Sequence, residues 1–245
     1  MVRDTLTLAR IVEAAVDLLD AEGLEGLNMR ALGRRLDSAA TAVYWHVGSK
    51  DHLIVLAADR VWNEIALPDL TAVDWRTAAT QMATELHAML TRHHWMVQVF
   101  GSYPAYGLGK ARHDDHSLAI FEAAGFAGAD ADRAMATLFT FVLGNALGPA
   151  AEASLMRKLR GEDGDPEELM RDTMASAREI AARFPRLRAR LGSAAAERYG
   201  AAPEKTFEFG LRAIIEGLEA RLVADRDRLD RAGRTLRRRV QGSRA

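Results

Sequence analysis

Apolar side chains recur at three- and four-residue spacing along almost the whole chain, with no alternating run long enough to make a strand. That spacing puts one apolar stripe on an α-helix, so the expected fold class is all-α. The first helix is expected over about residues 5–22, burying Leu8, Ile11, Val12, Ala15, Leu18 and Leu19 and stopped by Gly23. Shorter helices follow at about 28–36 and 39–45, then one capped by Ser49 that runs to about residue 66, before Pro68. Beyond them a helix starts at Asp74 and ends near Arg92, followed by segments at 94–100 and 109–124, the latter closed by Gly125. A long helix begins near Asp130, and Pro149 is expected to kink or break it. The polar stretch at 161–168 reads as a loop, a further helix reaches about Arg183, and Pro203 opens the last long helix.

The most informative stretch is residues 28–50. Two short helices separated by about three residues, Asp37 and Ser38 among them, have helix-turn-helix spacing, in which the second helix enters the major groove of DNA. Within it Arg30, Arg34, Arg35 and Lys50 stand against Asp37 alone, whereas residues 1–65 hold seven basic and ten acidic side chains. Attraction to phosphate must therefore be focal.

An apolar first helix, then Gly26-Leu27, Arg30, Leu32, Leu36, Tyr44-Trp45-His46-Val47 and Lys50, resembles the Tet repressor family closely over residues 5–60. At the other end, the run from Phe207 to Leu222 resembles the last helix of that family's dimerisation domain. The resemblance implies a cytoplasmic, ligand-responsive transcriptional regulator, most often a repressor, that leaves a palindromic operator when a small molecule binds. It implies an N-terminal three-helix DNA-binding domain at 1–48, a helical ligand-binding and dimerisation domain at 49–230, and a basic tail at 231–245. Candidate DNA contacts are Asn28, Arg30, Ala40, Thr41, Tyr44, Trp45, His46 and Lys50. Arg30 suits a bidentate contact to guanine, and Thr41 a base edge or thymine methyl. Tyr44 and His46 suit phosphate, and Lys50 adds an ammonium to a helix N-terminus. Trp45 suits a small core better than DNA, and Arg34 and Arg35 a solvated face. Asp37 stands where the family usually has glycine; aspartate tolerates left-handed backbone better than most residues.

Residues 75–150 are rich in bulky apolar and aromatic side chains. The resemblance makes Met82, Leu86, Phe100, Tyr103, Leu118, Met135 and Phe139 candidates for a ligand chamber. Met82 and Phe100 fall where family members that bind magnesium–tetracycline carry an amide and a metal-binding histidine, Tyr103 where they carry a threonine, and about Ala66 where they carry another histidine. The chelate's ligands are gone, so a flat hydrophobic or aromatic effector is expected, with no metal or cofactor. In the last helix Gly210, Ala213, Ile214, Gly217 and Leu218 are candidates for a homodimer interface, since two glycines seven apart allow close helix approach.

Other chemistries find little support. Cysteine is absent, which removes disulfides, thiolate zinc sites and cysteine nucleophiles. His113-Asp114-Asp115-His116 offers two histidines on one face without a third ligand, and reads as a solvated polar turn. Gly107-Leu108-Gly109-Lys110 echoes a phosphate loop, but Pro104 and Ala111 stand where glycine and Ser/Thr are needed. No hydrolase or metalloprotease motif is present, so no enzyme is expected. Acidic residues throughout the N-terminal apolar stretch argue against a signal peptide or a membrane anchor there. The segment 221–245 has nine arginines against three aspartates, and reads as a helix end that frays into a solvated tail.

Overall fold

The computed structural model describes residues 6–160, 165–191 and 203–242, and every described element is a helix. They are α1 Leu8–Gly26, α2 Met29–Arg35, α3 Ala40–Val47, α4 Lys50–Trp62, α5 Trp75–Arg92, α6 Trp95–Ser102, α7 Leu108–Ala124, α8 Ala129–Arg160, α9 Pro166–Ala181, α10 Pro185–Leu191 and α11 Pro203–Gly242. Side-chain caps fix several starts. Asn28 Oδ1 accepts from the Ala31 amide at 2.8 Å, Ser49 Oγ from His52 at 3.0 Å, and Asp74 Oδ1 from Arg76 at 2.8 Å and Thr77 at 3.1 Å. Each such cap is worth about 1 kcal/mol. Gly125, in left-handed backbone, ends α7 as expected.

Several expectations need correction. Gly23 turns the backbone out of helical geometry (φ 70°, ψ −175°), but one more turn follows and α1 ends at Gly26. The third helix runs two residues longer than expected, to Val47, and α4 stops earlier, at Trp62. Pro149 does not break α8. The missing N–H costs one ladder bond, and buried Leu138, Val142 and Ala146 before it and Ala150 and Leu159 after it hold the helix in place. The expected helix to Arg183 ends at Ala181, and Pro185 opens a seven-residue helix that periodicity did not reveal. Residues 161–164 of the expected polar loop lie outside the described residues. The basic segment continues α11 as helix as far as Gly242.

One apolar core runs through both halves of the chain. In the first half α1 packs along α4 and α2 against α3, closing over Ile11, Leu19, Leu32, Val43, Val47, Leu53 and Ile54. The second half of α4 inserts Ala58, Val61 and Trp62 between α6 and α7. There α5, α7 and α8 pack on one another, and α11 lies across α5 and α8 through buried Phe207, Leu211 and Ile215. By length and composition α8 is apolar enough to cross a membrane, but in this fold it is the spine on which α5, α6, α7 and α11 pack.

The helix-turn-helix depends on one close approach. A Cβ on Gly33 would lie 2.7 Å from the Ser38 carbonyl oxygen and 3.2 Å from the Ala40 amide nitrogen, both backbone atoms that cannot rotate away. Gly33→Ala is therefore expected to destabilise the protein by about 1–3 kcal/mol, the usual cost of overpacking. Urea denaturation checks this, and an unchanged midpoint would contradict it.

Candidate nucleic-acid interface and ligand chamber

The turn between α2 and α3 is built from local chemistry. Asp37 is the one non-glycine residue with positive φ (47°) among the described residues, the left-handed conformation that its short polar side chain tolerates. The Ser38 amide then donates to the Gly33 carbonyl at 2.8 Å and turns the chain into α3. Val43 and Val47 anchor α3 inward, which leaves Thr41, Tyr44 and Trp45 on its outer face and Ala40 and His46 half-buried. Trp45 is 83% exposed, so it is not part of a small core; its ring is T-shaped to that of His46, 4.9 Å between centroids. Arg30, in the first turn of α2, is exposed. Asn28 is committed locally, capping α2 and donating to the Gly26 carbonyl at 3.2 Å. Lys50 Nζ donates to the Leu24 carbonyl at 3.1 Å, tying the start of α4 to the end of α1. Arg35 pairs with Asp17 at 2.9 Å, in keeping with a solvated face.

In the second half, α5, α7 and α8 line a partly open cavity of about 160 Å³. Met82, Leu86, Met135 and Phe139 line it, four of the seven residues expected there. Phe100 stands behind this wall, edge-on to Phe139 at 5.6 Å and Trp62 at 6.1 Å. Tyr103 ends α6 and Leu118 is half-buried on α7; neither lines the cavity. The polar side of the chamber was missed. Lys110, His113, Asp114, Ser117 and Phe121 present one face of α7 to it. Their three-to-four spacing was visible in the sequence, but the charged residues masked it. The segment 113–116 is thus no solvated turn: His113 is 5% exposed within α7, and His116 Nε2 meets the Pro68 carbonyl at 2.9 Å. Lys110 is ion-paired to Asp114 and lies over the rings of Trp62, Tyr106 and Phe139 at 4.9–5.7 Å.

The chamber is wired to the DNA-binding half through α4. Asp59 Oδ1 accepts the Gly109 amide at 2.8 Å and so satisfies the first turn of α7. A Cβ on Gly109 would strike the Asp59 carbonyl at 2.6 Å and Trp62 Cβ at 2.9 Å, so glycine is what lets α7 seat on α4. The echo of a phosphate loop is this helix contact. Trp62 closes the seat, 4.8 Å from the His113 ring and stacked on Phe139 at 6.5 Å.

Two family models divide the chain at this helix. Residues 11–57 match bacterial regulatory proteins of the tetR family, and residues 67–222 match the tetracyclin repressor-like C-terminal domain. The chain belongs to the TetR family of transcriptional regulators. The HTH-type transcriptional repressor DrrR1 of Streptomyces coeruleorubidus is 33% identical over 232 residues, 91% of this chain and 81% of that protein. An HTH-type transcriptional regulator of Saccharopolyspora erythraea is 37% identical over 140 residues, 57% of this chain and 59% of that protein. Among solved structures, the TetR family protein ActR of Streptomyces coelicolor in complex with actinorhodin superposes with a TM-score of 0.63 at 25% identity, covering 88% of this chain and 98% of that one.

In this TetR-family chain the two candidate interface glycines differ. Gly210 lies under the Phe141 ring of the same chain, where a Cβ would come within 2.5 Å, whereas Gly217 faces open space. Ala213 is exposed, and Ile214 and Leu218 are half-buried against the core.

A second link joins the halves of the regulator. His93 Nδ1 meets Asp20 Oδ1 of α1 at 2.7 Å, and its Nε2 meets Glu64 Oε2, just past α4, at 3.0 Å. Trp95 Nε1 also donates to Asp20 at 2.7 Å. Burial opposes a charged imidazole, but the hydrogen bonds and charges of Asp20 and Glu64 outweigh it and raise His93 above its ordinary range. A raised native pKa contributes stability that is complete below the unfolded value, about 6.5, and disappears as pH rises through the native one. His93→Gln should therefore lower stability more at pH 6 than at pH 9. Urea denaturation at the two pH values checks this, and equal losses would show that the ring is not charged in the native state.

Proposed function

We propose that this regulator is a homodimeric repressor that a small hydrophobic or aromatic molecule releases from a palindromic operator. The carrying observation is that a single helix, α4, abuts the recognition helix at one end and the chamber at the other. Its start follows α3 after two residues, and its end, Trp62, touches His113 and Phe139 of the chamber wall. Two α3 helices about 34–36 Å apart would enter successive major grooves. A ligand that spreads α7 and α8 tilts α4 and spoils that spacing. It acts as a switch only if it prefers the DNA-incompatible state by several kcal/mol.

For the dimer, exposed Leu147 and Leu155 on α8 and Phe209 and Val223 on α11 support pairing of these two helices with their copies across a two-fold axis, with Ala213 and Gly217 between them. Gly217→Leu has room within one chain, so it should weaken dimerisation without unfolding the subunit. Analytical ultracentrifugation at micromolar concentration reads this out. A monomeric wild type, or a variant that dimerises as well, removes the assignment.

On DNA, Arg30 and Thr41 would select sequence, while Tyr44, His46 and Lys50 hold phosphates. Trp45, in view of its exposure, joins the contact face, and Ala40 offers a methyl to a thymine. Asn28 serves by fixing the start of α2. Lys50 would exchange the Leu24 carbonyl for a phosphate, a charge-assisted and stronger partner. The test starts from a palindrome selected by the wild type out of random duplexes. Arg30→Ala should cost about 1–3 kcal/mol and relax preference at one base pair per half-site. Lys50→Ala should leave preference intact and lower the salt slope by about one unit per half-site. A change of preference with Lys50→Ala, or none with Arg30→Ala, reverses the two roles. Failure to select any palindrome removes the operator reading itself.

A further inference from the structure

One wall residue of the chamber carries a buried polar atom that the protein leaves unused. His113 lines the cavity and is 5% exposed, yet its Nε2 is buried without a hydrogen-bond partner among the described residues. Its other nitrogen, Nδ1, faces Asp114 Oδ1 at 3.5 Å. A carboxylate only accepts, so Nδ1 carries the proton. Burial, helped by the charge of Lys110 and opposed by Asp114, keeps the ring neutral by lowering its pKa. A neutral ring protonated at Nδ1 presents Nε2 as a bare acceptor.

A buried acceptor left unpaired carries its full desolvation penalty, and such atoms in native structures call for a partner. The rest of the chamber limits what that partner is. Met82, Leu86, Phe121, Met135, Leu138 and Phe139 make its walls apolar. About 160 Å³ has room for one aromatic ring, since a dry cavity of roughly 150 Å³ accepts benzene. The charges of Lys110 and Asp114 already neutralise each other, so the chamber has no free countercharge for an ionic ligand.

We propose that the effector inserts a ring bearing a hydroxyl, a phenol or an aryl alcohol, whose O–H donates to His113 Nε2. This rests on the chamber being the effector site. The contact has a direct route outward, because the His113 ring lies against Trp62 at the end of α4. A ligand that fixes His113 therefore acts on the helix that carries the DNA-reading head.

The test compares 4-ethylphenol with 4-ethylanisole, which keeps the ring and the oxygen but has no donor, by calorimetry on the full-length protein. The wild type should bind the phenol about tenfold or more tighter, as one satisfied buried hydrogen bond implies. His113→Phe should abolish the preference, and His113→Gln, which keeps an acceptor, should retain much of it. Imidazole ¹⁵N spectra of the wild type give a readout that does not depend on any variant folding: the His113 Nε2 resonance should move on adding the phenol and stay in place with the ether. Equal binding of the two probes, an unmoved Nε2 resonance, or no binding of either overturns the proposal. Failure of the underlying switch reading looks different. There, the phenol binds with the expected preference but leaves operator affinity unchanged in a mobility-shift assay.

Discussion

The structure hangs on the seat of α4 against α7. Glycine at 109 lets the two backbones meet, Asp59 satisfies the first turn of α7, and Trp62 fills the corner between α6, α7 and the chamber. Each part depends on the others: a side chain at 109 would push the helices apart, and a separated Asp59 would leave the Gly109 amide unpaired. With the seat in place, the three-helix head and the helical body share one continuous core. The His93 bridge to Asp20 and Glu64 adds a second attachment on the α6 side. The head is thus held at two points, one apolar and one ionic.

Much of this was legible in the sequence because helices announce themselves by period and by caps. Asn28, Ser49, Asp74 and Gly125 mark ends that the structure keeps within a residue or two. The helix-turn-helix followed from spacing alone, and Asp37 takes the left-handed backbone expected of it. What failed were places where tertiary packing overrules local preference. Pro149 stays inside α8 because its neighbours on both sides are buried, and Trp45, which looked like core by residue type, stands on the outer face because Val43 and Val47 already fill the inward positions.

The chamber was half legible. Its apolar wall, Met82, Leu86, Met135 and Phe139, was visible as bulky residues in the region where the family has its pocket. Its polar wall was hidden because His113 and Asp114 read as a solvated turn and Lys110 as the echo of a phosphate loop. Lys110 and Asp114 are partly buried there because they neutralise each other and aromatic rings cover the ammonium. Pairing across one helical turn made a charged stretch fit to face inward, and no property of the single residues shows that.

The dimensions of α4 set how small a cause suffices. Its 13 residues rise about 1.5 Å each, so it is a rod of about 20 Å seated at Trp62, with the three-helix head carried at its Lys50 end. A tilt of about 5° at the chamber moves the far end by nearly 2 Å, and two subunits doing so in opposite senses change the separation of their heads by more than 3 Å. Hydrogen bonds to base edges lose most of their strength over less than 1 Å. In the proposed switch, mechanical gain rather than a large rearrangement would link a ring inserted in the chamber to a duplex on the other side of the protein.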